Sequence, residues 1–298
     1  MPLRTHSLRI RVRRRFAIAA VAAAAVVALT GCGTAAGSPG TSTSTAAVSA
    51  APSSAAALQT VTPGKFTVAT GQPAYSPWVQ DDKPQSGKGF EAAVAYAVAK
   101  QLGYAAADVV WTRTTFDSAI APGPKTFDVN LQQFSVTPQR KKAVDFSSPY
   151  YTTDQAIVTT KGSPAASATT LAALKKITIG VAAGSTSYSV VNSQVGVQPK
   201  VFNSNDDAVL ALKSGQVQAL ALDLPTAFYL AQSELKNGVV SGQFAGSAGG
   251  DKFAFVLQKG SPLTKPVSAA VDAIAKDGTL AAITKQWLST AVDAPVFK

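Results

Sequence analysis

Apolar and polar residues alternate along the chain from about residue 65 onward in runs that predict strands and helices in turn. The stretch Phe66–Thr70 is typical of a short strand, and apolar residues at helical spacing over Phe90–Leu102 predict a helix that Gly103 ends. Further strands are predicted over Val109–Thr114, Phe127–Phe134, Gln155–Thr160, Ile177–Ala182, Ala219–Leu224 and Phe253–Gln258. Further helices are predicted over Asn205–Ser214, Pro225–Glu234, Pro262–Lys276 and Thr279–Leu288. This alternation favours α/β units with parallel sheets, and its length suits two lobes.

The pattern before this region indicates an export signal. Six arginines precede an uncharged apolar run, Phe16–Leu29, which is too short to span a bilayer comfortably. The run ends in Leu29-Thr30-Gly31-Cys32, which resembles a bacterial lipobox, so we expect residues 1–31 to be a lipoprotein signal peptide and Cys32 to carry lipid. An ordinary signal peptide with a chance cysteine is the weaker alternative, because this is the only cysteine of the chain. The pair Arg13-Arg14 leaves export by the twin-arginine route open.

The composition of residues 32–61 predicts a tether. After Cys32 the segment is almost entirely Ala, Ser, Thr, Gly and Pro and carries no charge. Such a composition cannot bury enough apolar surface to offset its ordering entropy, so disorder is expected. By random-coil scaling its typical reach is about 30 Å. We expect it to hold a folded body just off a membrane.

Composition excludes several function classes. The only histidine is His6 and the only cysteine is Cys32, so the folded body has no Ser-His-Asp triad, Cys-His pair or Cys/His metal site, and no disulfide can form within the chain. No metal or other cofactor is expected. The chain has 27 Lys+Arg and 16 Asp+Glu, but six of the arginines lie in the predicted signal peptide. The rest of the chain has 21 basic and 16 acidic residues, a net charge of +5 that is spread over the body. Nucleic-acid binding is therefore not indicated.

Several motifs, read in order, carry a family resemblance that covers about Phe66 to Leu288. They are Pro73–Trp78, Gly87–Glu91, Phe127–Val129, Ser135–Ser147, Pro149–Tyr151, Ile179–Thr186, Ala221–Asp223, Lys259–Leu263, Asp277–Thr279 and Trp287-Leu288. Together they resemble the solute-binding proteins of bacterial amino-acid ABC importers (family 3), with the two-lobed type II periplasmic binding fold. The resemblance implies lobe 1 at residues 62–159 and 253–298, lobe 2 at 160–252, and a ligand cleft between the lobes.

The resemblance also implies a binding site for a free amino acid. Arg140 matches the arginine that holds the ligand carboxylate, and Asp223 matches the aspartate that holds the ammonium. The remaining matches are hydroxyl or backbone positions that bind the carboxylate and aromatic positions that cover the ligand: Ser135, Ser185, Thr186, Tyr75 and Phe116.

Each of these residues also has a purely structural alternative. Arg140 could form a surface ion pair with Asp145, and Asp223 could cap the helix that begins near Pro225. Ser135 could be a turn residue, and the aromatic residues could be ordinary core.

Two positions depart from the family pattern and bear on the ligand. Gln132-Gln133 replaces a pair of small residues, and Gln133 could offer its amide to the ligand side chain. Gln72 stands where some binders of basic amino acids carry an aspartate. A lysine- or arginine-like side chain would lack that partner, so the sequence favours a polar uncharged or acidic amino acid.

The sequence thus predicts a monomeric, lipid-anchored, extracytoplasmic protein that captures a free amino acid. It would deliver the closed complex to a membrane permease and its ATPase, without covalent chemistry. One alternative is a dehydratase-like enzyme on the same fold, which would need an acid or base in the cleft. Glu91 is one of two glutamates after residue 32 and is interpreted as the start of a helix. The other alternative is a ligand-sensing lipoprotein that serves a receptor.

Overall fold

A computed structural model describes residues 58–246, 250–288 and 294–298. Cys32, the predicted signal peptide and the predicted tether up to residue 57 lie outside these ranges. Within them, every helix is too short or too polar to cross a bilayer.

Twelve strands are present in the described residues. They are β1 Phe66–Thr70, β2 Val109–Arg113, β3 Val129–Asn130, β4 Val144–Phe146, β5 Tyr151–Thr153, β6 Gln155–Thr160, β7 Ile179–Ala182, β8 Lys200–Phe202, β9 Ala219–Asp223, β10 Gly238–Gln243, β11 Asp251–Phe253 and β12 Val256–Gln258. The helices are α1 Phe90–Gln101, α2 Phe116–Ile120, α3 Leu171–Leu174, α4 Thr186–Val190, α5 Asn205–Lys213, α6 Leu224–Tyr229, α7 Thr264–Lys276 and α8 Thr279–Leu288.

The strands form two five-stranded sheets and one small sheet. The first sheet has the strand order β2-β1-β3-β12-β4, and the second has the order β10-β6-β9-β7-β8. Strands β5 and β11 pair with each other in a separate two-stranded sheet. Each large sheet is the centre of one lobe of the two-lobed type II periplasmic binding fold.

The sheets are mixed, so the prediction of parallel sheets is only partly right. Strand β1 runs parallel to β2 and β3, and β7 runs parallel to β8 and β9. Strand β12 is antiparallel to β3 and β4, and β6 is antiparallel to β9 and β10. A parallel neighbour needs a crossover connection, usually a helix. Strand β12 instead follows directly on β11, which brings the chain back from the second lobe.

The sheet of the second lobe is covered on both faces, which explains why its strands are continuous apolar runs in the sequence. On β9, Leu220 and Leu222 face one core with α5 and α6, while Ala219 and Ala221 face another core on the opposite side of the sheet. Successive strand residues point to opposite faces, so a sheet covered on both faces buries every position.

The first lobe packs α1, α7 and α8 against its sheet. In α7 the buried residues Val267, Ala270, Val271 and Ile274 recur at helical spacing, forming one apolar stripe. Gly89 precedes α1 with φ +104°, and a Cβ there would come within 2.5 Å of the Trp78 carbonyl oxygen. Only glycine fits this helix start.

Two observations bear on the predicted lobe boundaries. Strand β6 belongs to the second sheet as a whole, although residues 155–159 were assigned to lobe 1. The C-terminal Val296 forms a bridge with Gln243, and Phe297 packs in a second-lobe core, although 253–298 were assigned to lobe 1. Apolar matching within short stretches could not reveal these long-range pairings. We propose that lobe 2 begins at β6 and includes residues 294–298.

The predicted tether also ends earlier than residue 61. Leu58 packs against the first-lobe core, and the backbone N–H of Val61 donates to Asp128 Oδ1 at 2.7 Å. Residues 58–61 are therefore part of the folded body, because a buried carboxylate offers their backbone a partner.

Candidate functional site

A cavity of about 200 Å³ lies between the two lobes. Its lining includes every ligand-binding residue that the sequence suggested: Arg140, Asp223, Ser135, Thr186, Ser185, Tyr75, Phe116, Gln133 and Gln72. Six of these residues lie in the first lobe, between Gln72 and Arg140, and three lie in the second lobe, between Ser185 and Asp223, so only the folded protein brings them together.

Arg140 is held in place from both lobes. One terminal nitrogen donates to the Ser135 carbonyl at 2.7 Å in the first lobe, and the other donates to the Gly184 carbonyl at 2.8 Å in the second. The guanidinium lies 5.2 Å from the ring centroid of Phe116, a cation–π distance. Of the five guanidinium N–H groups, these bonds use two, which leaves three for a ligand.

The alternative of a surface ion pair with Asp145 is excluded. Arg140 is 9% exposed, and in the described residues no acidic group lies within ion-pair distance of it. Asp145 pairs with Lys259 at 3.0 Å. Burial lowers the pKa of the Arg140 guanidinium, and the charges of Asp251 and Asp223 oppose that shift. A buried, unpaired cation facing a cavity is costly without an anionic partner.

Asp223 supplies the opposite charge at the end of β9. It precedes α6, but its side chain makes no capping bond to that helix. Instead its Oδ1 accepts a hydrogen bond of 2.6 Å from Gln155 Nε2. Burial, followed by the nearby charge of Asp251, raises the pKa of Asp223 to about 7. The carboxyl therefore gains strongly from a cationic partner.

Ser135 and Thr186 meet across the cleft. Their hydroxyl oxygens are 3.4 Å apart, and Thr186 Oγ1 also donates to Asp251 Oδ2 at 2.6 Å. Ser135 Oγ lies 3.3 Å from the same carboxylate oxygen. No motif in the sequence points to Asp251, because its partners lie far away along the chain.

Aromatic side chains close the cavity from the first lobe. The rings of Phe116 and Phe134 are in contact at a tilt of 30°, with their centroids 4.6 Å apart. Burial and a hydrogen bond to Asp206 of the second lobe raise the pKa of the Tyr75 hydroxyl. Trp78, at 1% exposed, lines the cavity and donates its indole N–H to the second lobe.

Glu91 is a buried acid in the wall of this cavity. It is the second residue of α1, as the sequence suggested, but it is 1% exposed and lines the ligand cavity. Its carboxylate accepts from Tyr150 Oη at 2.5 Å, from the backbone N–H of Gln133 at 2.8 Å, and from the Gln133 side-chain amide. Burial raises the pKa of Glu91 to about 7.

Glu91 also explains the backbone at Gln133. This residue has φ +53°, a conformation that costs energy for any residue with a Cβ. The paired bonds to Glu91 hold it there. Gln132 bonds Thr114 and Asn130 beside the cavity. In the sequence, Gln132 was marked only because Gln132-Gln133 stands where the family has a pair of small residues.

The charges lining the cavity are unequal. Arg140 is the only lysine or arginine among the described lining residues, while both Glu91 and Asp223 are acids. The described residues hold no group of three or more His, Cys, Asp or Glu suited to a metal ion. The cavity can therefore satisfy one ligand carboxylate and offers acceptors for cationic groups.

Comparison with known proteins identifies the family. The profile of the bacterial extracellular solute-binding proteins, family 3, matches residues 66–290. The arginine-binding extracellular protein ArtP of Bacillus subtilis is 30% identical over 207 residues, covering 67% of this chain and 78% of that protein. The L-cystine-binding protein TcyJ of Escherichia coli is 29% identical over 208 residues, covering 68% and 75%.

Solved structures agree with these sequence matches. An ancestral arginine-binding protein bound to arginine has 33% identity and a TM-score of 0.63, covering 75% of this chain and 98% of that one. An ancestral amino acid-binding protein described as a precursor of cyclohexadienyl dehydratase has 30% identity and a TM-score of 0.63, covering 76% and 95%. The chain belongs to the bacterial extracellular solute-binding proteins, family 3.

Proposed function

We propose that this protein captures a free α-amino acid outside the cytoplasm and delivers it to the permease of an ABC importer. The observation that carries the proposal is one buried guanidinium, Arg140, and one half-buried carboxylate, Asp223, lining the same interlobe cavity. An α-amino acid brings the two complementary charges. Arginine's planar fork suits bidentate binding of a carboxylate.

The ligand side chain is polar and uncharged or basic, with L-arginine and L-glutamine the first candidates. An acidic side chain, which the sequence left open, loses support because Arg140 is the only cation among the described lining residues. The missing acid at Gln72 is offset by Glu91, which lines the same cavity. Relatives support this choice: they include proteins named for arginine and a glutamine-binding protein of Bacillus subtilis.

The predicted lipid anchor is part of the proposal. Cys32 follows the apolar run at the place that a lipobox requires. Radiolabelled palmitate incorporation into the wild-type protein, and its absence in Cys32→Ala, would support it. Label in both proteins would reject Cys32 as the anchor.

Thermal-shift measurement of the purified protein against the common amino acids tests the function. A ligand at about 100 times its Kd stabilises the native state by about 2.7 kcal/mol. Succinate and putrescine serve as controls, because each carries charge without the α-amino acid group. No response to any amino acid would overturn the proposal.

Catalysis on the same fold is the second candidate, and the observation favouring it is Glu91. A carboxyl group with a pKa of about 7 in a cleft wall can exchange protons near neutral pH. Its three hydrogen bonds to Tyr150 and Gln133 instead favour a structural role, which is why binding ranks first. Product formation from a cyclohexadienyl substrate, abolished in Glu91→Gln, would reverse this order.

A sensing role for a receptor would use the same site. Co-purification of the ligand-loaded protein with the permease of an ABC importer would support transport. Ligand binding without uptake in cells would favour sensing.

A further inference from the structure

We propose that Asp251 directs the hydroxyl protons of Ser135 and Thr186 away from the cavity. This wall then offers lone pairs to the ligand ammonium instead of protons to its carboxylate. The proposal rests on the proposed function, since it assigns a part of the same amino acid to this wall. It reverses the role that family resemblance suggested for the two hydroxyls.

The position of Asp251 is behind the wall. Ser135 and Thr186 line the cavity, whereas Asp251 begins β11 and is not part of the lining. Its Oδ2 accepts from Thr186 Oγ1 at 2.6 Å and from Gln155 Nε2 at 2.9 Å, and Ser135 Oγ lies 3.3 Å away. One carboxylate oxygen thus gathers donors from both lobes.

The proton count decides the polarity of the wall. A hydroxyl has one proton and two lone pairs. The proton of Thr186 is used in a short, charge-assisted bond to Asp251. The proton of Ser135 goes either to Asp251 or to Thr186, 3.4 Å away. In both cases neither hydroxyl has a proton left for a ligand carboxylate.

Gln155 extends the same arrangement to Asp223. Its Nε2 donates to Asp223 Oδ1 at 2.6 Å and to Asp251 Oδ2 at 2.9 Å, so both amide hydrogens are used. Its Oε1 accepts from Ser187 Oγ at 2.6 Å, which fixes the orientation of the amide. Asp223, Ser135 and Thr186 therefore form one surface of acceptors.

This arrangement orients the ligand. An ammonium group has three protons and no acceptor, so it matches a surface of lone pairs and carboxylate oxygens. The three remaining N–H groups of Arg140 are then the donors for the carboxylate. Asp251 is thus a positioning residue for ammonium recognition, acting through the hydroxyls without touching the ligand.

Calorimetric titration with ligands that lack one group tests the proposal. The probes are L-arginine and 5-guanidinopentanoate, which lacks only the α-amino group; L-glutamine and 4-carbamoylbutanoate replace them if glutamine binds instead. Wild-type protein is expected to prefer the amino acid by at least about 100-fold, since the analogue leaves buried acceptors unpaired. In Asp251→Asn the amide can donate to the hydroxyls and turn their protons toward the cavity. The preference then falls by about tenfold or more.

Two further variants keep the test decisive. Asp272→Asn removes an exposed carboxylate on α7 and is expected to leave the preference unchanged. Thr186→Val keeps the shape of the side chain and is expected to weaken L-arginine binding without weakening 5-guanidinopentanoate binding. Thermal unfolding confirms that each variant is folded. If Asp251→Asn does not fold, the result for Thr186→Val decides the test.

The outcomes separate this inference from the function itself. Equal weakening of both probes by Thr186→Val would show that the hydroxyl donates to the carboxylate and would overturn the inference, as would an unchanged preference in folded Asp251→Asn. Failure of wild-type protein to bind any amino acid would instead overturn the proposed function.

Discussion

The indole nitrogen of Trp78 in the first lobe donates a hydrogen bond of 2.9 Å to the hydroxyl of Thr226 in the second. Both residues are buried, at 1% and 6% exposed. The bond joins the two lobes, so any separation of the lobes would break it. It therefore contributes to the free energy of cleft closure and not to the core of either lobe alone.

Thr226→Val is expected to weaken ligand binding about five- to 150-fold, because a buried N–H without a partner costs about 1–3 kcal/mol in the closed form. Calorimetric titration measures this change. Thr159→Val is the matched control, since Thr159 donates to the Gln218 carbonyl within the second lobe. It is expected to lower stability with little effect on affinity; equal affinity losses in both variants would contradict the closure role.

Arg140→Ala is expected to weaken amino acid binding by about 3–5 kcal/mol, a factor of about 10²–10⁴ in Kd, because the ligand carboxylate is left buried and unpaired. Arg140→Lys keeps the charge but loses the planar fork, so it should recover only part of the affinity. Lys141→Ala removes a neighbouring exposed charge and should bind like wild type. A loss below tenfold in folded Arg140→Ala would reject this residue as the carboxylate partner.

Amino acid affinity is expected to fall as the pH drops below about 7. The pKa of Asp223 is raised to about 7, so at lower pH the carboxyl is protonated and must lose its proton to hold an ammonium. Where that ionisation limits binding, the Kd rises up to about tenfold per pH unit. Titrations from pH 5 to 8.5 measure the slope. In Asp223→Asn the affinity should be low and the slope reduced; an unchanged wild-type slope in that variant would assign the effect elsewhere.

The free energy of unfolding is expected to decrease as the pH rises from about 4.5 through 7. The folded-state pKa of Glu91 is raised to about 7 from 4.5 by burial, so its contribution is fully present below pH 4.5 and lost as the group ionises. The loss from this group is at most about 3 kcal/mol.

Denaturant unfolding at pH 5 and pH 8 measures the effect, and Glu91→Gln should reduce the difference between the two values. Glu234→Gln is the matched control, because Glu234 pairs with Lys213 at the surface. A Glu91→Gln protein with the wild-type pH difference would show that another group is responsible.

Apolar periodicity was most reliable where a single element buries a simple stripe or run. The helix predicted at Phe90–Leu102 is α1, and the strand predicted at Gln155–Thr160 is β6. The predicted strand Phe127–Phe134 is reduced to Val129–Asn130, and Gln133, within the predicted stretch, adopts φ +53° beside Glu91. Local propensity does not include a tertiary partner that stabilises an unfavourable backbone.

Some residues of the candidate site were predicted from local motifs, and others became apparent only in the structure. Motifs near Arg140 and Asp223 led to residues that line the cavity, because these motifs are local in sequence. Glu91 was recognised only as a helix start, and Asp251 was not singled out. The contacts of Asp251 join residues 65 and 116 positions away, to Thr186 and Ser135 respectively, and no local pattern records such a contact.

By itself, the sequence determined the α/β class, the family resemblance and the absence of histidine and thiol chemistry from the body. Residue types and short spacings are sufficient for those conclusions. Only the tertiary structure decided which carboxyl groups share the cavity with Arg140 and which carboxylate accepts from the hydroxyl of Thr186. The reason is physical: burial and hydrogen-bond partners set the charge and polarity of a site, and both arise only when distant segments of the chain meet.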